Sequence, residues 1–172
     1  MPTRSAAPAF DIKRSLLNTF LINEQANKLL LKNLDAAAWR ATPPSGKGRT
    51  IAGIAAHLHN VRLMWLAAAD KSAKLPAKLE GEKVSTDDVQ EALTKSAAAI
   101  CKLLEKGLAD PAGRVPNFKP DVVAFAGYLI AHEAHHRGQM TMLARQVGHA
   151  VSNKTSFGMW EWGTLAKEAE IG

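Results

Sequence analysis

Residues 121–148 read DVVAFAGYLIAHEAHHRGQMTMLARQVG, and their spacing decides what kind of molecule this is. Phe125, Leu129, Met140, Leu143 and Val147 fall on one stripe at helical spacing. That stripe predicts a long amphipathic helix from about Asp121 to Val147, stopped by Gly148 at the C′ position. Each helical residue advances by about 100°, so His132 and His136 lie about 40° apart on one face. Both straddle the centre of the apolar stripe within about 20°. The two imidazoles therefore take core positions. Burying them costs free energy unless their nitrogens find partners, and one metal ion satisfies two at once; waters or core hydroxyls are the alternative partners.

Outward from this segment the chain reads as helices and little else. Asp11 can cap a first helix to about Asn33, carrying Leu16, Phe20, Leu30 and Leu34 on one face. Turn formers fill Pro43 to Arg49, and Thr50 then caps a second helix to about Asp70. Gly46-Lys47-Gly48 lacks the spacing of a phosphate loop. A third helix starts at Ser85 or Thr86, has Asp87 and Asp88 in its first turn, and ends near Gly107. Its face is Val89, Leu93, Ala97, Ile100 and Leu104. Four long amphipathic segments predict an all-α four-helix bundle. The Trp160 to Leu165 stretch is expected to form a short C-terminal appendage over one bundle end.

Composition fits a single soluble domain spanning residues 1–172. The chain has 47% hydrophobic residues, enough for one well-buried core. A single cysteine, Cys101, excludes an intrachain disulfide, and the N-terminus lacks the apolar run of a signal peptide. A cytoplasmic protein without a membrane span is expected. The net charge of +6 invites a nucleic-acid reading, but the basic residues are scattered and no aromatic platform is interleaved with them. No nucleic-acid partner is expected.

Bundle cores are where facing helices build metal sites, so the second helix is the place to look for a third ligand. Its apolar stripe is Ile51, Ile54, Leu58, Val61 and Trp65. His57 lies about 70° from the centre of that stripe and His59 about 130°. His57 is the inward candidate, continuing a row of Ile54, Val61, Met64 and Ala68. On the last helix His135 lies about 100° off centre, which places it on the flank.

Two segments resemble a known family. Ile51-Ala52-Gly53-Ile54-Ala55-Ala56-His57, with Trp65 eight residues on, is similar to the first metal-ligand segment of the DinB and YfiT-like superfamily. His132-Glu133-Ala134-His135-His136-Arg137-Gly138-Gln139 resembles the HxxxHRGQ signature of the same superfamily. The resemblance covers roughly residues 10 to 165 and implies a divalent metal held by His57, His132 and His136. It also implies a metal-dependent transferase using a low-molecular-weight thiol, and a homodimer. It implies no DNA binding.

Three neutral imidazoles leave a divalent ion an open position, the arrangement of a catalytic centre rather than a closed structural one. Zinc and nickel are favoured because imidazole suits both. Thiol transfer and hydrolysis are both chemically available, and a non-catalytic metal or small-molecule binding module is the alternative. No general base stands out. Glu133, about 80° off the stripe centre, is either an acceptor for a ligand imidazole or an exposed helical residue. Arg137 and Gln139 are expected in surface or interhelix contacts, and Gly138 in a close helix approach. Trp65, Trp160 and Trp162 are expected to serve packing, and Cys101 to be inert core.

Overall fold

A computed structural model describes residues 9–169. Seven helices occur among them: α1 Ile12–Lys32, α2 Ala36–Trp39, α3 Ile51–Ala69, α4 Thr86–Ala109, α5 Val122–Gln146, α6 Asn153–Gly158 and α7 Trp162–Glu168. No strand occurs among the described residues, apart from one isolated bridge between Val115 and Phe118. The four long helices are α1, α3, α4 and α5, so the fold is an all-α bundle as expected. None of the described helices is long and apolar enough to cross a membrane.

The caps explain the boundaries. Asp11 accepts from the backbone of Lys13 and Arg14, Thr50 from Gly53, and Asp121 from Ala124. Ser85 and Asp88 form a reciprocal capping box at the start of α4. Gly148 ends the last long helix with φ +86°, a left-handed value that favours glycine.

α1 packs against α4 and α5, and α3 packs against the same two helices. The ring order is therefore α1–α4–α3–α5, with α1 and α3 at opposite corners. Two apolar clusters fill the interior. One gathers Leu30, Leu31, Ile51, Leu58, Leu93 and Met140; the other gathers Phe20, Leu63, Ile100, Leu104, Phe125 and Leu129. Helices α3 and α4 pass from the first cluster to the second, whereas α1 and α5 pass the other way, so α3 and α4 run parallel. Parallel neighbours need a long return connection. Residues 70–85 provide it by running back along the outer face of α3, where Leu79 exchanges two hydrogen bonds with Asn60, each 3.0 Å.

That crossover overturns the expected placement of His59. The residue is fully buried, and its Nε2 lies 3.0 Å from the Ala77 carbonyl oxygen, because the return segment covers a face about 130° from the apolar stripe. Met64, expected at the edge of the core, is 50% exposed. The C-terminal appendage is two helices rather than one. α6 and α7 lie along the flank of α1, where Gln25 donates to the Glu168 carbonyl, instead of over a bundle end.

Candidate metal centre

Helix α3 contributes His57, and α5 contributes His132 and His136 one turn apart. Antiparallel packing of α3 on α5 brings the three together, with ring centroids 5.4 Å (His57 to His132), 4.8 Å (His57 to His136) and 4.5 Å (His132 to His136) apart. One nitrogen from each ring lies within 4.8 Å of the others, so the set could hold a metal ion. The Nε2 atoms of His132 and His136 approach to 3.1 Å. His136 is buried; His57 and His132 are partly open, so the cluster forms a mouth between α3 and α5 rather than a sealed cavity.

A neighbouring side chain sets the proton position of one ring. Gln139 Oε1 accepts from His136 Nδ1 at 2.7 Å, which puts the proton on Nδ1 and leaves a lone pair on Nε2. Tyr128 stacks on His132 with centroids 6.0 Å apart, and Trp65 meets Tyr128 edge-on at 5.5 Å, forming an aromatic wall on one side. Burial, then the Arg49 guanidinium and the other two imidazoles, push the His57 pKa down to about 4. Burial is also the main cause holding His132 and His136 below the ordinary histidine value. All three rings are neutral near pH 7, the form that coordinates metal. Nitrogen donors of this kind suit a borderline divalent cation, so the residues fit the group.

A family model described as the DinB family matches residues 7–164. The chain belongs to the DinB family. No curated protein and no solved structure matches it. Family membership and the histidine cluster together make this a DinB protein with a site that could hold a metal ion.

The other residues of the DinB signature fall elsewhere. His135 is exposed, and its Nε2 accepts from Gln139 Nε2 at 3.0 Å. Gln139 thus links His135 and His136 of its own helix rather than two helices. Gly138 meets nothing within 4 Å of the position a Cβ would take, so no close helix approach explains it among the described residues. Trp65 packs against Phe118, Phe125 and Tyr128 as expected, but Trp160 is 79% exposed and packs little. Cys101 is buried, and burial pushes its thiol up to about 11, consistent with an inert side chain.

Glu133 departs furthest from expectation. It is neither exposed nor an acceptor for a ligand imidazole. Arg62 Nε donates to its Oε1 at 2.7 Å and Arg62 Nη2 to its Oε2 at 2.8 Å, a bidentate pair inside the bundle. Asn23 and Asn27 of α1 donate to the same Oε2 at 2.6 and 2.7 Å. Arg62 Nη2 also reaches Glu24 at 2.6 Å and its Nη1 the Leu93 carbonyl at 3.0 Å, so one guanidinium ties α1, α3, α4 and α5 together. Arg137 donates to the Oδ1 atoms of Asn23 and Asn27, at 2.6 Å each, and orients both amides. Burial alone would depress the Arg62 pKa, but the Glu133 and Glu24 carboxylates outweigh it and hold it above its ordinary value. Burial would likewise raise the Glu133 pKa; the charge and hydrogen bonds of Arg62 reverse the sign.

The reading of the sequence missed this layer, although a signal was present. Asn23, Glu24 and Asn27 sit on the stripe between Phe20 and Leu30, and Arg62 sits between Leu58 and Leu66. Polar residues at core spacing on two helices point to a buried pairing, just as the histidines did.

Proposed function

We propose that His57, His132 and His136 bind one divalent metal ion, zinc or nickel, and that this DinB protein uses it to transfer a low-molecular-weight thiol to an electrophile. The observation that carries the reading is the convergence of three neutral imidazoles with ligand nitrogens within 4.8 Å of one another. When bound on three imidazoles, such an ion keeps an exchangeable position and lowers the pKa of a thiol or water placed there. Gln139 keeps the His136 proton on Nδ1, so Nε2 stays available. The Tyr128 and Trp65 rings wall the mouth and give an apolar acceptor a surface to rest on. The Glu133 carboxylate is committed to Arg62, so α5 has no free carboxylate to help ionise a bound water, whereas a thiol starts from a far lower pKa and needs less help.

The same commitment favours a second reading, a module that binds metal or small molecules without turnover. Incubating metal-loaded protein with small thiols and the electrophile monochlorobimane separates the two. Metal-dependent conjugation that disappears in His136→Ala supports the transferase; thiol binding without conjugation across a broad acceptor panel contradicts it and leaves the module. A homodimer belongs to the same proposal, supported by the uncovered apolar side chains Met142, Trp160 and Trp162. A monomer by sedimentation at micromolar concentration would reject it.

A further inference from the structure

The histidine mouth has a second wall, opposite the aromatic one, and it is basic. Arg49 precedes the cap of α3 and lines two adjoining clefts. One holds His57, Gly53 and Asn60; the other runs past Gln139, Ile54 and Leu143 on the α5 side. Its side chain is exposed, and its guanidinium forms no ion pair among the described residues. Lys47 lines the second cleft and is likewise without an ion pair. The one carboxylate lining these clefts is Glu82; its Oε2 accepts from Thr50 Oγ1 at 2.7 Å, and it forms no ion pair with Arg49. Gly53 keeps the junction open. A Cβ there would lie 2.7 Å from Glu82 Oε1 and 3.2 Å from the Arg49 Cβ, so any side chain would push the carboxylate or the arginine stem out of place.

An unpaired guanidinium beside a cluster of donor atoms has a chemical meaning. It presents a planar fork of donors suited to a carboxylate or phosphate, and it shares its cleft with a metal ligand. Its charge is close enough to weigh on His57 and His136. Unpaired, it repels a cation at the cluster and lowers affinity for the ion; neutralised by an anion, it does not. We propose that Arg49, with Lys47 beside it, selects an organic anion as the ligand of the histidine centre, one end held by the guanidinium and the other delivered to the ion. This rests on the metal reading above.

The test uses cobalt(II)-loaded full-length protein at low ionic strength and two probes of equal size, 3-mercaptopropionate and 3-mercaptopropionamide, which differ in charge. Thiolate binding is read from the sulfur-to-cobalt charge-transfer band. The wild type should bind the carboxylate probe more tightly than the amide, and the preference should fall about tenfold in Arg49→Met, as expected for loss of a charge-assisted pair. Arg49→Lys should keep part of it. At saturating cobalt the content should be equal in all three proteins, since Arg49 is not a ligand. An unchanged preference in Arg49→Met overturns the inference while leaving the metal reading intact. Failure to bind cobalt overturns both, and bound cobalt with no thiolate band for either probe overturns this inference and the thiol assignment but not the metal site.

Discussion

Two polar assemblies share the middle of this bundle and follow opposite rules. The layer around Arg62 and the histidine cluster are joined directly by the His132–Glu133 peptide. In the layer, Arg62 meets two carboxylates, Glu24 and Glu133, Arg137 holds the Asn23 and Asn27 amides, and the Glu133 carboxylate accepts from three side chains. In the cluster, three neutral imidazoles face one another. A closed set pairs its charges, with Glu24 Oε1 alone left without a hydrogen bond, and ties four helices together; an open set has capacity left for a ligand. Sequence neighbours can therefore have unlike roles, and which role a buried polar residue takes is decided by what its partners leave unsatisfied.

The largest effect should come from breaking the closed set. Arg62→Met strands two buried carboxylates and should cost about 3–5 kcal/mol in urea unfolding. Replacing the group together, as Arg62→Met with Glu24→Leu and Glu133→Leu, should recover most of that loss, because an apolar core of similar volume avoids the desolvation cost. A loss below about 1 kcal/mol in the single variant would show that the layer does not hold the bundle together.

The open set should behave in the reverse way. His136→Leu removes no paired charge, so the metal-free protein should keep its stability within about 1 kcal/mol. Metal should stabilise the wild type by about 2.7 kcal/mol at a hundredfold excess over Kd, and should do nothing for the variant. Thermal shifts with and without zinc read both numbers. Equal stabilisation of the two proteins would erase the distinction between the assemblies.

A smaller effect tests how the cluster is tuned. Gln139→Leu removes the acceptor that holds the proton on His136 Nδ1, and metal affinity should fall about tenfold in a chelator competition. No change would mean that the imidazole is oriented by packing alone.

The pH response of the metal-free protein, damped by the solvent that reaches His57, has a definite sign. Unfolded His57 takes up a proton near pH 6.5, the folded residue only near pH 4. Between those values the unfolded chain binds more protons, so stability should decline as pH falls from 6.5 towards 4. His132 and His136 shift in the same direction. Denaturant midpoints that stay level across this window would contradict the burial of neutral rings.

The four long helices were legible because periodicity and caps agree: Asp11, Thr50, Ser85 and Asp121 each stand where a helix begins. His57 was picked out from its wheel position, and the structure places it against His132 and His136. What the sequence withheld was the direction of α4. A wheel describes one helix, and His59 is buried by a crossover that exists only because α3 and α4 run parallel. The role of Glu133 was hidden for a related reason, since its partners lie on α1 and α3, far away in the chain. α2 is short for a periodicity signal, and Arg49 belongs to a loop without one.

Metal content tests the central claim most directly. Protein purified without chelator and exposed to equimolar zinc or nickel, then desalted, should carry close to one divalent ion per chain by elemental analysis. His57→Ala, His132→Ala and His136→Ala should each carry almost none, whereas His59→Ala and His135→Ala should retain it, provided circular dichroism shows all five to be folded. Full metal in the first three variants, or its loss only in His59→Ala or His135→Ala, would contradict a metal centre built on His57, His132 and His136.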